Sequence, residues 1–460
     1  MARLTLAEIA RLTGGRILAG APETAFDRFG IDSREALPGS LFFAIRADRD
    51  GHDFIPMAAE NGASGAVVSR SVSLADEKFG LVLVTDTLAA LQDLAAAVLR
   101  ERPVKVVGIT GSIGKTTTKE FAAALLSPRF RVLKSTGNYN NHLGLPLSLL
   151  GLEGDHEIAI LEMGMSGFGE IRALARIAPP DVAVITNVAP VHLKFFESLE
   201  DIARAKKEIL DGAKKHATAV LNGDDPLVRK ISEDWRGPRI TFGLNGSSDV
   251  RARGLRPRGL EGTDFVLEIG REKADVTSPF LNSALVMNVL AAAAVAHVCG
   301  VPIAEMPARV AGLESFGRRG ILSMVGGILL YDDTYNSNPK ALERVLASLA
   351  GRFPSRKIAV LGDMLELGDR EREFHREAGE TVHRLGWDVL VAVGPLAAEM
   401  AAGAAAAGMD RESIFVFPDS SSAAGRIAGL VREGDLVLVK GSRGMTMEKI
   451  IERLKAEIKE

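Results

Sequence analysis

Residues 104–120 read Val104-Lys-Val-Val-Gly-Ile-Thr-Gly-Ser-Ile-Gly-Lys-Thr-Thr-Thr-Lys-Glu120. A β-branched run, a glycine turn and a helix-forming segment follow one another without a break. That order predicts a parallel strand feeding a phosphate cradle at a helix N-terminus. Gly111 and Gly114 free the backbone to turn its amides inward around phosphate oxygens, with Ser112, Ile113 and Thr117 completing the nucleotide-binding loop. Lys115 is placed to reach the terminal phosphates, and the Thr116 hydroxyl suits a Mg²⁺ position. Ile109 stands where the strict phosphate-loop spacing has its first glycine, so the motif departs from the standard one. The plain alternative is a glycine-rich turn carrying a surface lysine.

Outward from this stretch, the same alternation recurs. Ile158–Glu162, Val182–Thr186 and Thr218–Asn222 continue one series, and Ile328–Asp332, Lys357–Asp363, Val389–Gly394 and Leu436–Gly441 form a second. Near-continuous apolar strands alternating with helices indicate parallel sheets covered on both faces. Between the series, Arg239 to Leu281 reads as an antiparallel insertion. The first 85 or so residues read as a small α/β unit. The expected architecture is therefore α/β with three domains. Residues 1–85 form the N-terminal domain, 86–314 a central doubly wound, mostly parallel sheet of phosphate-loop type, and 315–460 a Rossmann-like C-terminal domain. Ligands of open α/β sheets bind beyond the carboxyl ends of the strands. Thr110, Glu162, Asn187, Asn222 and Asp332-Asp333 all fall there.

Composition narrows the classes. The 460 residues are 47% hydrophobic and 25% charged, which excludes a disordered chain. Lys+Arg is 56 against Asp+Glu 59, a net charge of -3 that removes the basic excess expected of a nucleic-acid or anionic-membrane binder. No uncharged apolar run is long enough for membrane insertion, and Glu8 interrupts what a signal peptide would need to be apolar. The single cysteine, Cys299, cannot form an internal disulfide and fits a reducing, cytoplasmic compartment.

TGSIGKTTTKE, LEMGMSGFGEI, TNVAPVHLKFFESLEDIARAKKEI and LNGDDP together resemble the central domain of the Mur ligases, ATP-dependent amide-forming enzymes of peptidoglycan precursor synthesis. GNYNNHLGLPLSLL, DDTYNSNPKAL and LGDMLELG are similar to the branch that adds D-alanyl-D-alanine to a UDP-N-acetylmuramoyl-tripeptide. The Asp-Asn-Pro-Arg motif of the diaminopimelate-adding relative is absent. The N-terminal IDSREALPGSLFFAI…DGHDF also fits.

The resemblance implies ATP, a pair of Mg²⁺ ions and a set of roles. Glu162 and His192 would be metal ligands together with Thr116. Lys206 would be carbamylated and would support the metal site, with Lys207 the fallback by one position. Asn288, Arg318 and Asp333 would close the nucleotide site. Lys115, Lys206, His192 and Arg318 would be catalytic. Ser33, Arg34, Asp50 and His52 would face the uridine diphosphate, and Asn138, Asn140 and Asn141 would border the muramyl-peptide channel. Tyr335, Asn336 and Asn338 would face the incoming dipeptide. Each residue also has a plainer reading: a strand-end carboxylate, a solvated basic helix face, an Asx turn at Asp32-Ser33-Arg34, a linker arginine. Where the family has His-Asn shortly before Asn288, this chain has Ala284-Leu285. The implied partners are small molecules met by a monomer, without nucleic acid. A Mur-type or folylpolyglutamate synthetase-like ligase with another amine, or a phosphate-loop ATPase without a covalent product, are the alternatives. The third residue of the tripeptide, meso-diaminopimelate or lysine, is not legible.

Overall fold

In the computed structural model, residues 3–72, 78–190, 195–353 and 355–458 are described. Three main sheets follow one another along the chain. The first has five strands in the order 16–19, 80–83, 65–68, 40–43, 28–30, parallel except for its first pair. The helix Leu6–Leu12 packs beside it. Its start is fixed by a capping box, in which the Thr5 hydroxyl accepts from Glu8 N while the Glu8 carboxylate accepts from Thr5 N.

The central sheet has nine strands, with Lys105–Thr110 between Val182–Ile185 and Ile158–Glu162, all parallel. Those three strands are buried along nearly their whole length, which explains their unbroken apolar runs. The expected antiparallel insertion takes a different form. Arg239–Gly243 pairs in parallel with Thr218–Asn222, and Val250–Pro257 starts parallel to it. Thr263–Ile269 then pairs antiparallel with both Val250–Pro257 and Glu272–Ser278. The segment thus extends the nucleotide-binding sheet. Its short connections at the far edge leave no room for crossover helices, so that edge reverses direction.

The C-terminal sheet runs 321–325, 328–333, 436–440, 357–362, 389–393, 414–417, parallel after its first pair. Helices cover both faces, as expected for a Rossmann-like domain. The helix Ser283–Val298, buried over most of its length, lies against the phosphate-loop helix Lys115–Leu126. The cores of the N-terminal unit and one face of the central sheet form one apolar cluster, joined through helices Thr87–Arg100 and Gly144–Leu150. Among the described residues no helix is long and apolar enough to cross a membrane. Cys299 is buried.

Helices Glu371–Arg384 and Ala397–Ala406 meet backbone to backbone. A Cβ on Gly379 would stand 1.9 Å from the Met400 carbonyl oxygen. Gly379→Ala is expected to cost roughly 1–3 kcal/mol through overpacking. Gly425→Ala, at an exposed position of the helix Ser420–Ile427 with nothing near its Cβ, is expected to stabilise by about 0.5–1 kcal/mol. Thermal melts of the two variants should move in opposite directions.

Candidate active site

The phosphate loop is held from behind by the end of a neighbouring strand. Ile113 N donates to Asn187 Oδ1 at 3.0 Å, and the Ile113 carbonyl accepts from Thr186 Oγ1 at 2.7 Å and Asn187 Nδ2 at 2.9 Å. Ser112 Oγ accepts from Ala189 N at 2.9 Å. This close approach requires glycine twice. At Gly111 (φ 146°) a Cβ would stand 1.9 Å from Thr186 Oγ1, and at Gly114 (φ 84°) it would stand 2.4 Å from Asn288 Oδ1. No side chain caps the helix that starts at Lys115, so its first amides face outward with the positive end of the helix dipole. The Lys115 ammonium folds onto its own loop, donating to the Gly111 carbonyl at 2.8 Å. Burial lowers its pKa, opposed by the charge of Glu162.

Glu162 is the buried carboxylate of the site, 1% exposed at the end of its strand. Its Oε2 accepts from the Thr116 hydroxyl at 2.7 Å and its Oε1 from Asn140 Nδ2 at 2.8 Å. Both donors are neutral, and among the described residues no Lys or Arg forms an ion pair with it. A carboxylate buried without a cation is costly. Together with the Thr116 hydroxyl, it offers hard-oxygen donors of the kind Mg²⁺ takes.

Lys206, on the helix Leu199–Asp211, is buried, and among the described residues it has neither an ion-pair nor a hydrogen-bond partner. Burial, reinforced by the positive charge of Lys115, drives its pKa well below 10.5. Lys207, by contrast, pairs with Asp234 at the surface. His192 lies outside the described residues.

The C-terminal domain supplies the opposite wall of a 340 Å³ cavity that begins at Ser112–Thr117. Asn138, Asn140, Glu162, Asn288, Asp333, Tyr335, Asn336 and Asn338 all line it. Lys440 Nζ donates to Asp333 Oδ2 at 2.6 Å and to the Asn336 carbonyl at 2.8 Å. Burial raises the Asp333 pKa against the pull of Lys440. Asn338 also caps the helix Pro339–Ala350.

The two adjacent arginines divide differently from the sequence expectation. Arg318 adopts a left-handed backbone (φ 58°) and its guanidinium donates to Glu452 Oε1 at 3.0 Å, away from the cavity. Arg319 enters instead, stacked 3.5 Å over the Tyr335 ring centroid with its NH2 3.4 Å from Thr116 Oγ1. The turn at 317–320, with glycines at both ends in positive φ, decides which side chain faces in. Ala284 and Leu285 also line the cavity, so its wall is apolar where the resemblance implied His-Asn. Arg319, Arg344, Asn282 and the loop anchors Thr186 and Asn187 carried no sequence signal specific enough to assign a role.

A second cavity, of 210 Å³, lies between the N-terminal unit and the central domain. Asp32, Glu35 and Ser40 line one side, Thr136 and Tyr139 the other. The expected contacts of the N-terminal unit do not line it. Arg34 makes a fork to Asp32, which holds that carboxyl down at about 2. Ser33 Oγ sits against Met57 Sδ at 3.3 Å. His52 is buried with both ring nitrogens engaged: Nδ1 is 2.6 Å from Asp50 and Nε2 accepts from Ser69 N at 2.8 Å. That pattern makes it a neutral internal strut. Asn141 Oδ1 accepts from Leu143 N at 3.2 Å and Gly144 N at 2.9 Å, just ahead of the helix Gly144–Leu150.

With this geometry in view, comparison with known proteins is specific. Residues 109–296 match the family model described as Mur ligase middle domain, and 317–443 the one described as Mur ligase, glutamate ligase domain. The UDP-N-acetylmuramoyl-tripeptide--D-alanyl-D-alanine ligase of Bacillus subtilis (strain 168) is 36% identical over 99% of both chains. That of Escherichia coli (strain K12) is 32% identical over 99% of both. The structure of MurF from Acinetobacter baumannii superposes with a TM-score of 0.91 at 29% identity, covering 99% of this chain and 100% of that one. MurF ligase from Thermotoga maritima, in complex with ADP, gives 0.83 at 34% identity over 94% and 97%.

The isolated Lys206 amine has a thermodynamic signature. Unfolded, it titrates near 10.5; folded, well below. Between those values the unfolded chain binds the extra proton, so stability rises with pH. In buffer stripped of carbon dioxide, Lys206→Met should melt above the wild type near neutral pH by at least about 2 °C. The gap should close as pH approaches 10.5. A gap independent of pH would contradict an uncompensated amine at this site.

Proposed function

The chain belongs to the Mur ligase family, and on that premise we propose how it joins D-alanyl-D-alanine to UDP-N-acetylmuramoyl-tripeptide with cleavage of ATP to ADP. The observation that carries the mechanism is the single cavity in which the phosphate loop, the buried Glu162 and the strand-end residues of the C-terminal sheet face one another. Chemistry at such a junction needs both walls, so it waits on domain closure and shuts out water.

A carboxylate oxygen of the tripeptide attacks the γ-phosphorus, the bond to the β-phosphate oxygen breaks, and ADP leaves an acyl phosphate. The amine of D-alanyl-D-alanine then attacks the acyl carbon. The tetrahedral adduct loses inorganic phosphate and a proton, leaving the amide. Most of the catalysis is positioning and charge stabilisation. The uncapped helix at Lys115 and the loop amides of Ser112, Ile113 and Gly114 cradle the phosphates, and the Lys115 ammonium leaves the Gly111 carbonyl for them. Arg319 faces the transferring group from the C-terminal wall; Arg318 joins only by leaving Glu452. Thr116 and Glu162 would hold Mg²⁺, which supplies charge neutralisation at the phosphate oxygens.

Lys206, whose pKa burial lowers, is suited to carbamylation: its unprotonated nitrogen adds to carbon dioxide and loses a proton, giving an anionic carbamate. That change would turn an unpaired cation beside Lys115 into a favourable partner, and would supply oxygen to the second metal position together with His192. Asp333, with Lys440, and Asn288 are assigned to the nucleoside. Tyr335, Asn336 and Asn338 are assigned to the dipeptide.

The proposed division of labour puts the UDP end on residues 1–85, against the 210 Å³ cavity, ATP on 86–314 and the dipeptide on 315–460. A reducing cytoplasm suits the substrates and the lone buried thiol.

ADP release in a coupled assay with UDP-muramyl-tripeptide, in both its meso-diaminopimelate and lysine forms, is expected to require D-alanyl-D-alanine. Single amino acids should not replace it; full turnover with glutamate or a free D-alanine would transfer the chain to another branch. Lys115→Ala should lower kcat at least about a hundredfold, and Arg319→Ala by a similar order. Turnover unchanged in Arg319→Ala but lost in Arg318→Ala would reverse the assignment of the two arginines.

A further inference from the structure

Lys119 stands one helical turn beyond Lys115, so both lie on one face of the phosphate-loop helix. It is 0% exposed. Its ammonium donates to the Ser135 carbonyl at 2.6 Å and the Gly137 carbonyl at 2.7 Å, and lies 3.1 Å from Glu120 Oε1. Glu120 is paired in turn with Lys134 at the helix surface. An ammonium withdrawn from water is costly unless its three donors are used, and here all three are.

The two carbonyls bracket Thr136 at the base of an exposed loop, 135–141. That loop serves both cavities. Thr136 and Tyr139 line the 210 Å³ cavity against the N-terminal unit, while Asn138 and Asn140 line the 340 Å³ cavity. It is also tied to the buried carboxylate. Ser135 Oγ accepts from Glu162 N at 3.1 Å, Asn140 Nδ2 donates to Glu162 Oε1, and the Asn140 carbonyl accepts from Gly164 N at 2.8 Å. Among the described residues, the exposed middle of the loop, 136–139, has no other side-chain anchor as buried as Lys119.

We propose that Lys119 is a positioning residue. From beneath, it fixes loop 135–141 so that the UDP-linked substrate, held against Tyr139, presents its carboxylate beside Glu162 and the phosphate loop. The inference rests on the proposed function in assigning that substrate to the loop. It adds that the nucleotide helix and the acceptor-carboxylate loop are registered to each other through one buried ammonium. Removing the ammonium loosens substrate placement and leaves ATP binding, which uses residues 111–117, largely intact.

The test is steady-state kinetics of the full-length enzyme and its Lys119→Met variant, with ATP and UDP-muramyl-tripeptide varied in turn. The expected result is a KM for UDP-muramyl-tripeptide raised about tenfold or more, with the KM for ATP within about twofold of wild type. A purely structural lysine would lower the active fraction and move neither KM. An unchanged KM for the UDP substrate, or an equal rise in both, overturns the proposal. If the Met variant does not fold, Lys119→Arg decides. It keeps the charge but not the spacing of the two donors, so about a threefold or greater rise in the same single KM is expected, and no rise overturns it. A wild-type enzyme that fails to use UDP-muramyl-tripeptide would instead sink the proposed function, before any variant is made.

Discussion

Glu162 is a carboxylate buried at a strand end without a cation, and the arrangement of the site follows from keeping it there. Its two oxygens are taken by Thr116 and Asn140, one from the phosphate-loop helix and one from the loop at 135–141. Its own amide is taken by Ser135. Three chain segments far apart in sequence are therefore locked to one charge. Both side-chain donors are neutral, so the positive charge felt at Glu162 is that of the nearby Lys115 ammonium rather than of a directly paired cation.

The cations of the site are likewise individual and local. Lys115 rests on its own loop, Arg319 on an aromatic ring, Lys440 on Asp333, and Lys119 on two carbonyls. Lys115 and Arg319 are parked on neutral partners, whereas Lys119 also meets the Glu120 carboxylate and Lys440 holds a buried aspartate in place. A net charge of -3 is no obstacle to binding polyphosphates when the positive groups are focused by burial in this way. Lys206 is the exception, an amine with no partner at all among the described residues, and its chemistry follows from that isolation.

Much of this was legible in the residues. Strands such as Val104–Thr110 and Leu436–Gly441 announce themselves because both faces are covered, and the strand-end rule places Glu162 and Asp333 correctly in the cavity. What was not legible depended on conformation or on distant neighbours. Arg318 and Arg319 are adjacent and chemically equal, and only the left-handed turn at Arg318 sends the second one inward. His52 was expected to face the uridine diphosphate, yet Asp50 and Ser69 absorb both of its nitrogens. Lys119 was assigned no role, because its burial depends on a loop sixteen residues onward. The antiparallel insertion expected at 239–281 is present in its later strands, while its first strand joins the parallel sheet, because alternation alone does not reveal which neighbour a strand will join.

The central claim is that this cavity activates a carboxylate by phosphoryl transfer before the amine arrives. The most direct measurement labels the tripeptide's reacting carboxylate with oxygen-18 and follows the label through one turnover by mass spectrometry. The account predicts one labelled oxygen in the inorganic phosphate released and one retained in the amide carbonyl. Phosphate released without label would mean that no bond from the carboxylate to phosphorus ever forms, and would contradict it.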